Sequence, residues 1–411
     1  MATSERFVIV GAGLAGAKTA EMLREKGFDG SILLLGDEPD APYDRPPLSK
    51  GYLQGKLDRD AIFIHEPGWY AANGIELRRS TTATRIDPQR HTVRLADGEE
   101  LGYDKLALAT GACPRHLPIS GESLAGVRYL RQIGDSERLR AVFATASRVV
   151  IIGAGWIGLE IAAAARTAGV AVTVLEAAAL PLLRILGPQV APVFAALHRD
   201  HGVDLRLGIE VAEIIGDGHA ATGVRLADGT QVNADAVLIG VGAIPNTGLA
   251  EQAGLAVADG IVVDPTLRTS DRDIYAAGDV ARAYHPLLRT QIRVEHWANA
   301  LNQPETAAAA MLGDCASFES LPFFYTDQYE LGMEYSGYIE PGGYDEVVIR
   351  GDRDAREFIA FWLRGHRVMA GMNVNIWDVN DNIQRLIRSC AAVDAARLAD
   401  PDVPLKAMLA A

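Results

Sequence analysis

Two stretches of the chain show the same order of apolar and small residues. The apolar run FVIV (7–10) is followed by the turn GAGLAG, a helical pattern and a second apolar run, SILLLG. The same order recurs at 148–176, where RVVIIG, AGWIGLEIAAAARTAG and VAVTVLE follow one another. A buried strand, a tight turn, a helix rich in small residues and a second buried strand form a βαβ unit. The pattern therefore predicts two Rossmann-like units, each built on a parallel sheet.

A second repeat follows each unit. Residues 93–112 (VRLADGEELGYDKLALATGA) match residues 224–243 (VRLADGTQVNADAVLIGVGA). Each copy predicts a β-hairpin with an Asp-Gly turn, followed by a buried strand that ends in glycine. Two copies of one domain plan are the simplest interpretation.

The pattern changes after Pro322. Three segments, at 329–339, 345–351 and 357–374, predict three or more antiparallel strands, and the segments 379–389 and 399–411 predict helices. The end of the chain therefore predicts a third domain, of the α+β class.

Composition and charge narrow the function. The 411 residues carry a formal charge of −14, which argues against nucleic acid as a main partner. The three cysteines are far apart and form no C-x-x-C, so we predict no metal site and no local redox dithiol. No signal-peptide pattern and no run of 18 apolar residues is present, so we expect a cytoplasmic protein with no membrane partner.

Each glycine turn has the spacing G-x-G-x-x-G, formed by Gly11, Gly13 and Gly16 and again by Gly153, Gly155 and Gly158. The first glycine allows the tight turn, the second lets the backbone approach a pyrophosphate, and the third lets the helix pack on the strand. The pattern alone is weak, and tight packing is the alternative. Both copies follow a strand and begin a helix, so we predict two bound dinucleotides.

A carboxylate at the end of the second strand of each unit is expected to bind ribose hydroxyls. Asp37, next to Glu38, holds this position in the first copy, and Glu176 holds it in the second. The alternative for either residue is a solvated loop carboxylate. No basic residue follows Glu176 until Arg184, so the second nucleotide is predicted to be NADH rather than NADPH.

At this point the chain resembles the two-dinucleotide flavin reductases of the glutathione-reductase fold. The resemblance implies FAD at the first turn and NAD(P) at the second. The segment YAAGDVA (275–281) is similar to the family's second flavin motif, which assigns Asp279 to the flavin. LALATGA (106–112) resembles the strand that passes under the flavin.

One branch of that family fits best. PYDRPPLSKGYL (42–53) and FFYTDQYELGMEYSG (323–337) resemble the NADH-dependent ferredoxin reductases, of the putidaredoxin reductase type, that serve bacterial haem monooxygenases and ring-hydroxylating dioxygenases. The resemblance implies hydride transfer from NADH to flavin N5, then single-electron transfer to a [2Fe-2S] ferredoxin that feeds an oxygenase. Disulfide reductases carry C-x4-C where this chain has PYDRPPLSK, so no protein dithiol is expected to take part.

The resemblance also assigns individual residues. Lys50 and Glu160 are expected to be catalytic, as an ion pair in which the ammonium stabilises the reduced flavin; surface charges are the alternative. Trp297 is expected at the flavin, with a core tryptophan as the alternative, and His296 is a candidate acid. The predicted FAD contacts are Gly11, Gly13, Ala15, Gly16, Asp37, Arg45, Lys50, Ala83, Thr110, Gly111, Arg131, Asp279 and Trp297. The predicted NADH contacts are Gly153, Gly155, Trp156, Ile157, Gly158, Glu160, Glu176 and Gly242.

The predicted organisation is an FAD-binding domain at 1–112 and 244–320, an NADH-binding domain at 113–243 and a C-terminal α+β domain at 321–411. The protein is expected to be a monomer or a weak homodimer. The docking candidates are the Tyr325 segment of the third domain, the Trp297 segment and nearby basic side chains such as Arg289 and Arg293. The alternatives on the same fold are an NADH oxidase, a rubredoxin reductase and a nonenzymatic flavoprotein like apoptosis-inducing factor, which would carry targeting segments and insertions.

Overall fold

Both predicted βαβ units are present, each at the centre of a parallel sheet. The computed structural model describes residues 5–409. The first elements along the chain are β1 (Arg6–Val10), α1 (Leu14–Glu25), β2 (Ser31–Leu35), α2 (Trp69–Ala72), β3 (Ile75–Arg78), β4 (Ala83–Asp87), β5 (Thr92–Leu95), β6 (Glu100–Gly102), β7 (Lys105–Leu108) and β8 (Ala112–Pro114). The next are β9 (Val127–Arg128), α3 (Ile133–Thr145), β10 (Arg148–Ile152), α4 (Trp156–Thr167), β11 (Ala171–Glu176), α5 (Leu183–Asp200), β12 (Asp204–Leu207), β13 (Val211–Gly216), β14 (Ala221–Leu226), β15 (Gln231–Asn233) and β16 (Ala236–Ile239).

The remaining elements complete the chain. They are β17 (Ala243–Pro245), α6 (Gly248–Gln252), β18 (Ile261–Val263), β19 (Ile274–Ala276), β20 (Ala281–His285), β21 (Thr290–Ile292), α7 (Trp297–Met311), β22 (Phe323–Gln328), β23 (Leu331–Gly337), β24 (Glu346–Asp352), β25 (Glu357–Arg364), β26 (Arg367–Val374), α8 (Asn380–Ser389) and α9 (Ala395–Ala399). Short 3-10 helices lie at Pro46–Ser49, Arg59–Ile62 and Leu405–Leu409.

The first compact unit comprises the chain up to Asp44, Arg59–Cys113 and Ala243–Pro322. Its parallel sheet has the order β19-β7-β1-β2-β3, and β4, β5 and β6 form an antiparallel meander that contains the predicted hairpin, β5 and β6. Side chains alternate between the two faces of β1. Phe7 packs with residues of α1 and α7 on one face, and Val8 packs with the meander on the other.

The second compact unit comprises Arg45–Asp58, Pro114–Gly242 and the chain from Phe323 onward. Its parallel sheet has the order β12-β11-β10-β16-β9, and β13, β14 and β15 form the second meander. In both parallel sheets the central strand is the one that leads into a glycine turn. The shared order confirms the duplicated plan that the sequence repeats predict, and the mixed α/β fold class is confirmed with it.

The second unit also contains an antiparallel sheet of order β22-β23-β26-β25-β24, which confirms the predicted C-terminal strands. Helix α8 confirms the helix predicted at 379–389. The helix predicted at 399–411 is wrong: α9 ends at Ala399, and a 3-10 helix begins only at Leu405. Pro401 and Pro404 explain the break, because proline lacks the N–H that a helix interior needs. Residues 410 and 411 of that segment lie outside the described residues.

The two compact units do not coincide with the three predicted domains. The chain passes from one unit to the other near residues 113, 242 and 322, and the second unit includes residues 45–58 and the C-terminal sheet as well as the second glycine turn. The three-domain division therefore stays a prediction, and its outer ends at residues 1 and 411 lie outside the described range. Among residues 5–409, none of the helices combines the length and the apolar character needed to cross a membrane.

Candidate functional site

The first glycine turn has the geometry of a dinucleotide site. Gly11 has φ +110°, and a Cβ built on it would lie 2.1 Å from the carbonyl oxygen of Ala109. A Cβ on Gly16 would lie 1.8 Å from the carbonyl oxygen of Gly11, so helix α1 approaches β1 too closely for any side chain. Around Gly13, by contrast, no described atom beyond the adjacent residues lies within 4 Å of an added Cβ. The open space lies at the N-terminus of α1, where backbone N–H groups favour an anion.

The second turn repeats this division of roles. Gly153 has φ +101°, and its added Cβ would lie 2.4 Å from the carbonyl oxygen of Gly240. A Cβ on Gly158 would lie 2.2 Å from the carbonyl oxygen of Gly153. On Gly155 the nearest atom would be 3.9 Å away. In each turn the first and third glycines allow close packing, and the second leaves open space beside the helix N-terminus. Both turns therefore fit the pyrophosphate of a dinucleotide.

Asp279 lies beside the first turn. The preceding Gly278 has φ +82°, and its added Cβ would lie 2.8 Å from Cβ of Ala15 in the first turn of α1. Its N–H donates to Oε1 of Gln303 on α7, at 2.7 Å. The structure therefore brings the predicted flavin residues Ala15 and Asp279 to the same end of the parallel sheet.

The other predicted FAD residues of the first unit have defined surroundings. Thr110 exchanges two hydrogen bonds of 2.8 Å with Asn246, which also donates its backbone N–H to the carbonyl of Gly111. The indole Nε1 of Trp297 donates to Oδ1 of Asp44 at 2.8 Å, so the ring is held at the start of α7. Asp37 is exposed after β2, and Ala83 is half-buried at the start of β4.

Glu176 sits directly against the second glycine turn. One carboxylate oxygen accepts the backbone N–H of Ala154 at 2.6 Å, and the other accepts that of Ala178 at 2.8 Å. These bonds hold the carboxylate at the end of β11. The alternative of a freely solvated loop carboxylate is therefore wrong for this residue. Its contact with ribose stays a prediction.

The remaining predicted NADH contacts differ in exposure. Trp156 packs against Phe194 and Phe324, with ring centroids 5.4 and 5.2 Å away. Ile157 is 47 % exposed at the start of α4. Gly242 has φ +104° and accepts the backbone N–H of Arg115.

The predicted pair of Lys50 and Glu160 is present. Lys50 Nζ lies 2.7 Å from Glu160 Oε1, and the glutamate is 5 % exposed, so its alternative as a surface charge is wrong. Glu160 also accepts hydrogen bonds from Ser49 Oγ and from Thr326 Oγ1, the latter at 2.5 Å. A buried carboxylate needs such partners, because desolvation otherwise disfavours its charged form.

Sequence reasoning missed Ser49 and Thr326 as partners of Glu160. Ser49 adjoins Lys50, and Thr326 lies in the segment FFYTDQ, so both belonged to quoted motifs. The sequence carries no signal for Thr326, because Thr326, Asp327 and Gln328 are consecutive polar residues and only the packing of the strand buries the first and the third. Desolvation, together with the nearby Glu160 carboxylate, raises the pKa of Asp327 above its ordinary value, while Lys50 acts in the opposite direction.

Residues 45–58 are anchored on helix α3. Arg45 Nη1 donates to the carbonyl of Arg131 at 2.6 Å, so these two predicted flavin residues are neighbours. Ser136 Oγ donates to the carbonyl of Leu48 at 2.8 Å, and Tyr52 OH donates to Glu137 at 2.9 Å. These bonds fix the short 3-10 helix that precedes Lys50.

Two candidate roles need correction. Burial lowers the pKa of His296 to about 4, although Asp279 acts to raise it, so the imidazole is neutral at pH 7 and does not fit the role of an acid. The side chain of Arg293 is 10 % exposed and binds Asp259 and Glu295, so it does not fit the role of a docking cation. Arg289 is exposed and stays a candidate.

No disulfide joins any of the three cysteines in the described part of the chain. Each of Cys113, Cys315 and Cys390, which all fall in the described part of the chain, is free and exposed. The segment that carries a cysteine pair in disulfide reductases here supplies Ser49 and Lys50 to the carboxylate of Glu160.

Comparison with known proteins gives matches over the whole chain. The family model described as pyridine nucleotide-disulphide oxidoreductase matches residues 5–304, and the one described as reductase C-terminal matches residues 323–409. The chain is 41 % identical to the putidaredoxin reductase of Pseudomonas putida, with 100 % of this chain and 98 % of that protein covered. It is 41 % identical to the ferredoxin–NAD(+) reductase component of an anthranilate 1,2-dioxygenase system from Burkholderia cepacia, with 99 % and 100 % covered.

Among solved structures, the chain is similar to one described as the covalent putidaredoxin reductase–putidaredoxin complex. The TM-score is 0.95 at 40 % identity, and 99 % of this chain and 98 % of that chain are covered. The similarity extends over both compact units and includes the C-terminal antiparallel sheet.

Proposed function

This chain belongs to the pyridine nucleotide-disulphide oxidoreductase family, in its branch of oxygenase-linked ferredoxin reductases, and we infer that it is an FAD-dependent NADH:ferredoxin oxidoreductase. One NADH and two oxidised [2Fe-2S] ferredoxins give NAD+, two reduced ferredoxins and one proton. The reduced ferredoxin then feeds an oxygenase. The observation that carries this inference is the pair of complete glycine turns, each with an open central glycine, in a chain whose cysteines are separated and free.

The residues of the first unit fit FAD. Gly13 leaves room for the pyrophosphate at the N-terminus of α1, and Asp279 lies beside the same helix end. Trp297, held by Asp44, is assigned to the flavin by the family resemblance. When bound, FAD accepts the hydride of NADH and releases the two electrons one at a time, which no side chain of this protein can do.

The residues of the second unit fit NADH. Gly155 leaves room at the N-terminus of α4, and Glu176 presents a fixed carboxylate at the end of β11. A carboxylate accepts hydrogen bonds from ribose hydroxyls, whereas it repels a 2′-phosphate. This arrangement supports a preference for NADH over NADPH.

Lys50 and Glu160 are assigned an electrostatic role. An ammonium group stabilises negative charge that develops during the reaction, provided that its position is fixed beforehand. The buried Glu160 and its hydrogen bonds supply that fixed position. The role of Glu160 as a contact of NADH itself stays a prediction.

The rival activities differ in the electron acceptor. An NADH oxidase would pass electrons to oxygen, and a rubredoxin reductase would favour rubredoxin over a [2Fe-2S] ferredoxin. Purified protein, reduced by NADH under anaerobic conditions, is expected to reduce ferredoxins of oxygenase systems faster than rubredoxin. Equal or faster transfer to rubredoxin or to oxygen would contradict the proposal.

A cytoplasmic location is part of the same proposal. Its support is the free state of the cysteines, since a reducing compartment keeps thiols unpaired. The oligomeric state, a monomer or a weak homodimer, stays a prediction.

The first prediction concerns cofactor choice. Glu176→Ala removes the acceptor that we assign to the NADH ribose, and a hydrogen bond to a charged group contributes about 1.5–3 kcal/mol. We therefore expect NADH affinity to fall by about one to two decades and the gap to NADPH to narrow. Titration of both nucleotides by rapid-mixing reduction measures the change.

The matched control for Glu176 is Glu213→Ala. Glu213 lies on β13 of the same unit and forms an ion pair at 2.6 Å with Arg225 on the neighbouring strand β14. We expect its replacement to leave both nucleotide affinities unchanged. If the unmutated protein uses NADH and NADPH equally well, the assignment of Glu176 is wrong.

The second prediction concerns ferredoxin docking. Tyr325 is 37 % exposed on β22, and its ring lies 5.5 Å from Lys50 Nζ. Tyrosine is enriched among interface anchors, so we expect Tyr325→Ala to slow ferredoxin reduction about tenfold. Cytochrome c reduction through ferredoxin, compared with direct ferricyanide reduction by the flavin, separates docking from hydride transfer.

Tyr325→Phe is the control, because it keeps the ring and removes only the hydroxyl. We expect it to behave like the unmutated protein in both assays. A parallel loss of ferredoxin and ferricyanide reduction in Tyr325→Ala would show that the ring supports the flavin chemistry and that the docking surface lies elsewhere.

A further inference from the structure

A line of buried hydrogen bonds ends on the carboxylate that binds Lys50. Thr326 and Gln328 lie two residues apart on β22, 1 % and 0 % exposed. Thr326 Oγ1 donates to Glu160 Oε1 at 2.5 Å, and Gln328 Nε2 donates to Thr326 Oγ1 at 3.2 Å. His198 Nε2, on α5, lies 2.8 Å from Gln328 Oε1. All of these groups lie in the second compact unit.

The chemistry of the groups fixes the direction of every bond in this line. Because the Gln328 amide donates through Nε2, its Oε1 must accept, so His198 carries its proton on Nε2. Burial lowers the pKa of His198 to about 4, which leaves the ring neutral with one N–H. The Thr326 hydroxyl has a single proton. Its oxygen accepts a hydrogen bond from Gln328, and its O–H donates a hydrogen bond to Glu160. Each donor therefore points toward the carboxylate.

The carboxylate is bound on both of its oxygens. Thr326 and Lys50 contact Oε1, and Ser49 Oγ donates to Oε2. A glutamate side chain has three rotatable bonds, and fixing both oxygens fixes the plane of the group. The position of the ammonium then follows from the position of its acceptor. The ring of Tyr325, next to Thr326 in β22, lies 5.5 Å from the same ammonium.

We propose that Thr326 is a positioning residue, whose hydroxyl fixes the Glu160 carboxylate and thereby holds the Lys50 ammonium in one place. Gln328 and His198 orient that hydroxyl. The consequence for hydride transfer rests on the proposed function, in which Lys50 acts on the flavin. Whether the Lys50 side chain is fixed or mobile does not depend on that function, and it is measured separately.

The first measurement uses the holoenzyme with lysine labelled at Cε with carbon-13. The chain has six lysines, so the spectrum is simple, and Lys50→Arg identifies the signal of Lys50. A fixed side chain gives two different shifts for its ε-methylene protons, and a mobile one averages them. We expect two shifts in the unmutated protein, a single averaged shift in Thr326→Val, and two again in Thr326→Ser.

The matched control is Thr167→Val on α4, the helix that also carries Glu160. Thr167 Oγ1 donates only to the carbonyl of Ala163 in its own helix, at 2.8 Å, so the Lys50 signal is expected to stay unchanged. If Thr326→Val does not fold, Gln328→Met serves instead. This variant keeps the Thr326 hydroxyl but removes the hydrogen bond from Gln328 that orients it. We expect the two shifts of the Lys50 ε-methylene protons to move toward each other.

The second measurement is flavin reduction by NADH in rapid mixing. We expect Thr326→Val to slow this step about tenfold at saturating NADH, with NADH affinity unchanged, and Thr326→Ser to restore it. If the unmutated protein is not reduced by NADH, the proposed function fails while the lysine spectrum still tests Thr326. Two distinct Lys50 shifts in Thr326→Val, or no restoration in Thr326→Ser, would overturn the proposal.

Discussion

Gly155→Val is expected to give a folded, yellow protein that NADH reduces at least about 100-fold more slowly, a barrier increase of about 2.7 kcal/mol. A Cβ on Gly155 would have its nearest neighbour at 3.9 Å, so the first carbon of the added side chain meets no clash with the protein itself. It fills the space through which the backbone of α4 would approach the pyrophosphate of NADH. Anaerobic rapid mixing with NADH measures the loss, and reduction by dithionite is expected to be unchanged.

The first turn offers the reciprocal variant. A Cβ on Gly13 meets no clash either, and Gly13→Val is expected to give a folded protein that does not retain FAD. Gly248→Val is the matched control, because Gly248 also lies at the start of a helix, and no described atom beyond its neighbours and its own helix backbone lies within 4 Å of its added Cβ. If Gly155→Val loses its flavin, or if Gly13→Val keeps its flavin but is no longer reduced by NADH, then FAD binds at the second turn and NADH at the first, contrary to our assignment.

Lys50→Met is expected to slow hydride transfer to the flavin about 100-fold while FAD affinity changes much less. Removing one preorganised electrostatic group typically costs 10²–10³ in rate. The substitution also leaves Glu160 as a buried carboxylate without its ammonium partner. Rapid-mixing reduction by NADH gives the rate, and flavin fluorescence on dilution gives the FAD affinity.

Lys56→Met is the matched control, since Lys56 lies six residues further along the same segment and is exposed. We expect it to behave like the unmutated protein in both measurements. Should Lys50→Met be reduced at the normal rate, the pair with Glu160 would serve only to stabilise the fold.

The duplicated fold could be predicted from the sequence because several independent features of each copy indicate the same βαβ unit. The apolar run, the three glycines and the small residues at 162–165 all pointed to helix packed tightly on strand. The Asp-Gly turns predicted the hairpin in each of the two meanders. Local pattern failed near the end of the chain, where Pro401 and Pro404 interrupt a sequence that otherwise suits a helix.

The site could be predicted only in part. The pairing of Lys50 with Glu160, 110 positions apart, came from family resemblance, because no local pattern joins residues so distant. Thr326 and His198 were missed for the same reason. Their side chains meet only through the packing of β22 on α4 and of α5 on the C-terminal sheet, which lies beyond what periodicity can show.

The most direct test of the account is the electron count from NADH to ferredoxin. The flavin-containing protein is mixed anaerobically with one equivalent of NADH and an excess of oxidised [2Fe-2S] ferredoxin, and the ferredoxin absorbance is followed to its end point. We expect a yellow protein and two ferredoxins reduced for each NADH oxidised, and we expect no change when all three cysteines are replaced by serine. A protein that holds no flavin, or NADH oxidation that leaves the ferredoxin oxidised, would contradict it.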